Sequence, residues 1–355
     1  MVMVNTLGLN PKAQHNPKDQ EFMHHFETVL EIGIRRMFNI LLQSDIIYRL
    51  SGLRAKSKFS ADYLTNASKN FLNVIRNRRA KEINNLGTSE NLGSAKLKEN
   101  GSAGDFIPGV AVPQVVDEAP VKSFAELLME NPNYSTEDDS ELISQMITII
   151  GAGQDTSKSQ NMVTLILLGL HPDVQDKVQE ELDLILGPDP NICPSYEDIG
   201  KLDYLEMVIK ESLRMFPAGL FLARSVDEDC DLGDGVILPA GAQIFVSMYS
   251  LHRDPTYYPC PDSFDPSRWT PEAVAQRPAN CFMPFSTGPR NCIGAKYAML
   301  AMKTFLADLL RCYTILPADE CASVDDIGFD MQVTLKLNEN CKIRLKKRYM
   351  GEICT

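Results

Sequence analysis

Apolar residues recur at helical spacing along most of the chain, and the elements follow from where that spacing starts and stops. Asn16-Pro17 reads as an N-cap followed by proline in the first turn, after which Phe22, Phe26, Val29, Leu30, Ile34, Met37 and Phe38 form the apolar stripe of an amphipathic helix. A second helical pattern runs from about residue 60 to 82, with Tyr63, Leu64, Ala67, Phe71, Val74 and Ile75 inward. Its outward Arg76, Arg78, Arg79 and Lys81 read as a basic helix C-terminus. From residue 84 to 123 the periodicity is lost and Gly, Ser, Asn, Pro and Lys dominate, which predicts a long, mobile loop with residues 107–116 laid against the surface. The loop divides the chain into a helical segment, 1–84, the loop itself, 85–123, and a core, 124–355.

Within that core a short helix spans Phe124–Glu130, and Ser135-Thr136-Glu137-Asp138-Asp139 resembles a capping box at the start of a long helix reaching about Leu170. Apolar residues occupy nearly all its faces, as in a helix surrounded by protein. Inside it Gly151-Ala152-Gly153-Gln154-Asp155-Thr156 weakens the backbone ladder and permits a bulge; a close helix contact through small residues is the alternative. Pro172 opens a further helix ending near Gly187, and residues 202–216 form the next. Residues 226–246 alternate around Gly233-Asp234-Gly235 and Pro239-Ala240-Gly241 like a small hairpin sheet. A helix over 295–311 turns Tyr297, Ala298, Leu300, Ala301, Phe305, Leu309 and Leu310 inward and keeps Lys296, Lys303 and Arg311 polar. Residues 331–345 alternate like a terminal hairpin around Asn338-Glu339-Asn340.

Composition narrows the function classes. A length of 355 residues can bury a large core and gives a soft prior of two domains. The formal charge of −12, with no basic stripe, argues against nucleic-acid binding. Nine cysteines without a Cys-x-x-Cys pair make neither a disulfide framework nor a zinc site, so eight read as free thiols in a reducing compartment and one as a metal ligand. No secretory leader is visible at Met1, and the longest apolar run, around residues 162–170, is broken by Thr164 and Gly169. It falls short of the roughly 18 residues of a membrane span, so the chain as given reads as soluble or peripherally attached. His24 and His25 lie on adjacent helix faces, cannot share a metal, and read as solvated. His252-Arg253-Asp254 invites a kinase reading, which fails: no glycine-rich strand loop precedes it, no Asp-Phe-Gly follows, and Pro259 stands where the metal-binding Asn would fall.

Residues 285–294 read Phe-Ser-Thr-Gly-Pro-Arg-Asn-Cys-Ile-Gly and run directly into an apolar helix. Cys292 sits just before the helix start, where free N–H groups supply the donors and positive potential a ligating thiolate needs. Gly288 permits a tight turn towards a flat ring, and Gly294 has no side chain to hold the helix off it. Phe285 shields the sulfur, and Arg290 suits a propionate. A buried cysteine in a turn is the alternative reading.

The loop resembles the signature of the cytochrome P450 monooxygenases. The resemblance implies a mainly α fold, a helical haem core with small β-sheets, in which Cys292 ligates the iron of haem b (iron protoporphyrin IX). Residues 151–156 resemble the family's oxygen-activating notch, which gives Thr156 the role of hydrogen-bonding iron-bound dioxygen and Asp155 that of relaying protons. Glu211 and Arg214 share a helix face, and Phe264-Asp265-Pro266-Ser267-Arg268-Trp269 resembles the segment whose arginine completes a buried Glu-Arg-Arg cluster. That assigns Glu211, Arg214 and Arg268 to scaffolding. Arg224 would meet the second propionate, and Ile149, Ala152, Leu220 and Phe221 would line an apolar pocket.

The match covers about 124–347, and more loosely the helices before Asn84, and is nearest the microsomal branch with the fatty-acid ω-hydroxylases, judged by Leu251-His252-Arg253-Asp254-Pro255 and by residues 288–303. Ala152 stands where many members of that branch carry a haem-esterified glutamate, so no ester is expected. The front of the family fold is missing, which reads as N-terminal truncation. By resemblance the intact protein inserts one oxygen atom from O2 into a fatty acid, terpenoid or xenobiotic. Electrons come from NADPH-cytochrome reductase, with cytochrome b5 a further partner, at the cytosolic face of the endoplasmic reticulum. The helix over 295–311 would lie on the cysteine side, where an acidic reductase docks; a solvated charged face is the alternative. A haem-thiolate isomerase or dehydratase and an inactive haem-binding remnant stay open as other functions.

Overall fold

The first helix begins at proline because a residue without an N–H loses nothing in a first turn. In this computed structural model α1 (Pro17–Phe38) is followed by α2 (Ile40–Gln43), α3 (Asp45–Leu50), α4 (Leu53–Ser89), α5 (Phe124–Glu130) and α6 (Ser140–Leu170). Next come α7 (Pro172–Leu186), α8 (Tyr196–Gly200), α9 (Asp203–Met215), α10 (Met248–Leu251), α11 (Pro271–Ala275) and α12 (Ala295–Cys312). The structure describes residues 17–89, 122–134, 138–187, 189–331 and 334–348. Asn16, Ser135-Thr136-Glu137, most of the expected loop, and Cys354 lie outside them. Among the described residues four two-stranded antiparallel sheets complete a mainly α fold. The chain divides into two compact units, Met1–Gln154 and Asp155–Thr355, and the division falls within α6.

In the first unit α1 packs on α4, burying Phe22 against Leu64, Leu72 and Ile75, with Met146 and Ile150 of α6 in the same cluster. A side-chain carbon at Gly151 would come within 1.9 Å of the Phe26 ring. This is the small-residue close contact, and α6 stays helical through residues 151–156 without a bulge. Several expectations change here. Met37, Phe38 and Val74 are exposed, because α1 ends beyond the core and Leu72 takes the inward place beside Ile75. Residues 84–89, expected in the loop, continue α4. The basic end of α4 is held by carboxylates: Arg76 is bidentate on Asp139 at 2.8 and 2.6 Å, Arg78 meets Glu126 at 2.7 Å and Arg79 meets Glu130 at 2.6 Å. His25 is half-buried, with Nδ1 3.0 Å from Ser60 Oγ and its ring 4.2 Å from that of Tyr63. Burial first, then His24, lowers its pKa, whereas His24 is exposed as expected.

The second unit forms around the apolar half of α6. Val163, Ile166, Leu167 and Leu168 pack with Val178 and Leu182 of α7, Leu205 and Ile209 of α9, and Leu306 and Leu310 of α12. Gly187, at φ 76°, ends α7 in a conformation that glycine adopts without strain.

Strand β1 (Phe221–Ser225) pairs with β4 (Gln243–Ser247), and within that ribbon β2 (Cys230–Asp231) pairs with β3 (Ile237–Leu238). The sheet thus starts at Phe221 rather than at 226. Near the C-terminus β6 (Phe329–Met331) pairs with β7 (Leu335–Leu337), while β8 (Ile343–Lys347) returns to β5 (Tyr313–Pro317). The turn at Asn338-Glu339-Asn340 therefore links two sheets instead of closing one hairpin. Strand alternation marks which residues are extended, not which strand lies beside them. On α12 Lys303 and Arg311 are buried, contrary to the polar face expected, because each has acceptors inside: Glu206 at 3.1 Å for Lys303, and the carbonyls of Ile192 and Asp189 for Arg311. Tyr297 and Phe305, expected inward, are exposed. Lys296 keeps its exposed place.

Candidate functional site

The loop before α12 is closed by its own backbone. Ser286 N–H donates to Met283 O at 3.0 Å, Asn291 N–H to Gly288 O at 3.1 Å, and Cys292 N–H to Phe285 O at 2.9 Å. Gly288 sits at φ 80°, where a side chain would be strained, and Ser286 adopts φ 64°. Gly294 is the N-cap residue of α12 and offers no side-chain cap, so the positive end of an 18-residue helix opens beside Cys292. The Cys292 thiol is free and exposed. Within 4 Å a carbon added at Gly294 would meet only Cys292 Sγ, at 3.8 Å, so the absence of a side chain keeps the space beside the sulfur clear.

Around the loop, Phe285 is half-buried against the core and Arg290 is exposed. Arg224 reaches over from β1, its Nη2 donating to Ser286 Oγ at 3.4 Å. On the other side Phe282, Met283, Pro284 and Phe285 face Leu213 of α9 and Met299 of α12 across a cleft of about 620 Å³ that the sequence did not announce.

Glu211 and Arg214 on α9 are both fully buried and bidentate, at 2.9 Å from Nε and 2.8 Å from Nη2. The other Arg214 donors reach the carbonyls of His252 at 3.0 Å, Pro261 at 2.7 Å and Ser263 at 3.1 Å, so the whole guanidinium fork is used. Glu211 also accepts from Asp265 N–H at 2.9 Å and Trp269 Nε1 at 3.0 Å, with Arg268 Nε at 3.4 Å. The structure thus brings all three predicted scaffold residues together and adds Trp269 and His252, which spacing alone did not single out.

On α6 Asp155 is buried and accepts a hydrogen bond from Thr334 Oγ1, with Lys336 Nζ 4.0 Å away. Thr156 beside it is half-buried. Thr334 bridges to Gly219, and Leu335 N–H donates to Ala218 O at 2.9 Å, so the segment before β1 lies along the strand that holds Asp155. In that segment Leu220 is buried in the main core cluster and Phe221 is half-buried. Ile149, half-buried, and Ala152, exposed, belong to the first unit. Thr334 and Lys336 were missed because they lie far from Asp155 in sequence, 179 residues in the case of Thr334.

This donor set fits haem: one accessible thiol at a helix start, clear space beside it, and two exposed guanidinium groups, Arg224 and Arg290, suited to carboxylates. A single accessible thiol suits an iron already held by a macrocycle. Mainly helical, with an exposed thiol at a helix start and a buried Glu–Arg cluster, the fold has the features of a haem-thiolate protein.

The chain belongs to the cytochrome P450 family: the family's sequence model, described as Cytochrome P450, matches residues 6–337. Members bind haem b through a cysteine thiolate. Similar proteins include cytochrome P450 4c3 of Drosophila melanogaster, 32% identical over 352 residues that make up 98% of this chain and 61% of that protein. Cytochrome P450 4V2 of Homo sapiens is 38% identical over 236 residues, 65% of this chain and 43% of the relative. Cytochrome P450 3A31 of Mesocricetus auratus is 36% identical over 230 residues, 63% and 43% of the two chains. The chain spans 39% to 61% of the length of the curated relatives it matches.

Proposed function

We propose that Cys292 ligates haem iron and that the protein is a monooxygenase, inserting one oxygen atom from O2 into a lipophilic substrate with NADPH-derived electrons passed on by a reductase. The observation that carries the reading is the Cys292 loop, with its exposed thiol at the open end of α12 and its glycine at 294. When bound, haem supplies the oxidative chemistry, with the thiolate pushing electron density towards the metal.

The chain's own residues do the rest. The N–H groups of the first turn of α12 hold negative charge on Cys292 Sγ, and Phe285 keeps water from its core side. Arg224 and Arg290 hold the two propionates. Asp155 and Thr156 hold and move protons on the α6 side, with Thr334 and Lys336 fixing the Asp155 carboxyl. Glu211, Arg214 and Arg268 scaffold the loop. Leu220 and Phe221 would give the pocket an apolar wall, which suits a fatty acid, terpenoid or foreign lipophile. With haem, NADPH and reductase added, and cytochrome b5 as a second donor, the expected result for Thr156→Ala is unchanged haem content with product lowered on the order of 10²-fold. Unchanged product per NADPH consumed would reject the proton-delivery role of Thr156, and turnover without reductase would reject the oxygenase reading.

We also place the protein on the cytosolic face of the endoplasmic reticulum. Support comes from the turn between α1 and α4, where Ile40 and Leu50 are 81% and 82% exposed beside exposed Phe38, Leu41, Ile46 and Phe59, with Arg35, Arg49, Arg54, Lys56 and Lys58 around them. An apolar tip with a basic rim suits an anionic lipid surface. Among the described residues no helix is long and apolar enough to cross a membrane. Wild-type chain should co-sediment with vesicles containing anionic lipid, and the double variant Ile46→Asp, Leu50→Asp should stay in the supernatant. Equal sedimentation of the two would remove the tip from the account.

A further inference from the structure

His252, left over from the rejected kinase motif, is fully buried. Its Nε2 accepts the backbone N–H of Met283 at 3.0 Å, and its ring lies 5.2 Å from that of Phe282. An accepting Nε2 places the ring proton on Nδ1, which is buried without a well-aligned acceptor, and backbone groups of Leu213 and Arg214 at the end of α9 lie near the ring. Burial first, then the Arg214 charge, keeps the imidazole neutral, its pKa held down to about 4. The acceptor at Nε2 is therefore present at neutral pH.

One set of hydrogen bonds runs through this residue. Arg214, paired with Glu211, donates to His252 O at 3.0 Å. The ring takes Met283 N–H, Met283 O takes Ser286 N–H at 3.0 Å, and Phe285 O takes Cys292 N–H at 2.9 Å. We propose that His252 is a positioning residue for the Cys292 loop, tying its entrance at Met283 to the buried Glu211–Arg214 pair and so setting where the thiol stands. Its effect on a thiolate ligand rests on the haem reading; its effect on the loop does not.

A second pin, Tyr258 hydroxyl to Cys281 O at 3.2 Å, holds the chain two residues earlier. Loss of the imidazole therefore leaves the entrance attached and the fold intact. The comparison that isolates the acceptor is His252→Leu against His252→Gln, since the Gln carbonyl oxygen reaches about as far as Nε2 and accepts the same N–H.

The test is amide hydrogen exchange on the full chain, read on peptides from residues 282–292 and, for comparison, from α9 and the β1–β4 ribbon. In His252→Leu, exchange at 283–292 should rise about tenfold with α9 and the ribbon unchanged, and His252→Gln should restore most of the protection. On adding haem, the thiolate-type share of the reduced carbon monoxide spectrum should fall in Leu and recover in Gln. Native exchange in the loop of His252→Leu, equal loosening across α9 and the ribbon, or no difference between Leu and Gln would overturn the proposal. If exchange changes as expected while the wild-type chain gives no thiolate-type spectrum, the positioning role stands and the haem reading falls.

Discussion

Replacing Glu211 by alanine is expected to destabilise the protein by about 3–5 kcal/mol, a large share of the roughly 5–15 kcal/mol that keeps an ordinary domain folded. The change strips acceptors from Arg214 Nε and Nη2, Trp269 Nε1 and the Asp265 N–H, and the partner from Arg268, in one step. Arg214 is 0% exposed and would be left charged among carbonyl groups that cannot neutralise it. The cost is mostly that of the stranded charge, not of the lost bonds. It follows that Glu211→Met with Arg214→Leu should lose less than Glu211→Ala alone, because the pair leaves together. Urea midpoints for the two variants decide this. A single-variant loss below about 1 kcal/mol, or a double variant weaker than the single, would mean that the cluster does not carry the scaffold.

The second large effect is chemical rather than structural. Cys292→Ser should remove the thiolate-type spectrum completely and reduce NADPH-driven product to background while leaving the unfolding free energy from urea titration within about 0.5 kcal/mol of wild type. Cys292 is exposed, and its N–H bond to Phe285 O survives the substitution. The loop therefore keeps its shape and loses only the ligand. Cys281→Ser provides the contrast, since Cys281 is buried beside Tyr258 and away from solvent: it should affect stability and leave the ligand spectrum in place. A Cys292→Ser protein with an unchanged spectrum would move the ligand elsewhere.

How much of this was legible in the sequence depended on whether the deciding contacts were local. The end of α6 at Leu170, the short helix Phe124–Glu130 and the stop of α7 at Gly187 follow from apolar spacing, a capping residue and a glycine, all local signals. The shift of α4 to Leu53–Ser89 did not follow, because Ile-Asn-Asn-Leu-Gly-Thr-Ser over residues 83–89 has no helical stripe. The short helices α2 and α3 were hidden for a related reason: apart from Leu42 and Tyr48 their apolar residues are exposed, and a pattern of apolar positions does not say which ones find a core.

The candidate site divides the same way. The loop from Phe285 to Gly294 was readable because its ten residues carry their own turn and helix start. The Glu211–Arg214 pair was visible as a shared helix face, but its depth was not, since surface pairs have the same spacing. Charge misled at α12, where Lys303 and Arg311 are drawn inside by Glu206 and by backbone carbonyls well removed in sequence. Thr334 on Asp155 and the β5–β8 pairing are long-range matches that only the folded chain reveals.

Cys292 is the proposed iron ligand, and the most direct measurement of that role is the reduced carbon monoxide spectrum of the full chain loaded with haem. A thiolate-type band in the wild-type protein that is absent from Cys292→Ser is the predicted result. A neutral-ligand band in the wild type, or the same band in both proteins, would contradict it.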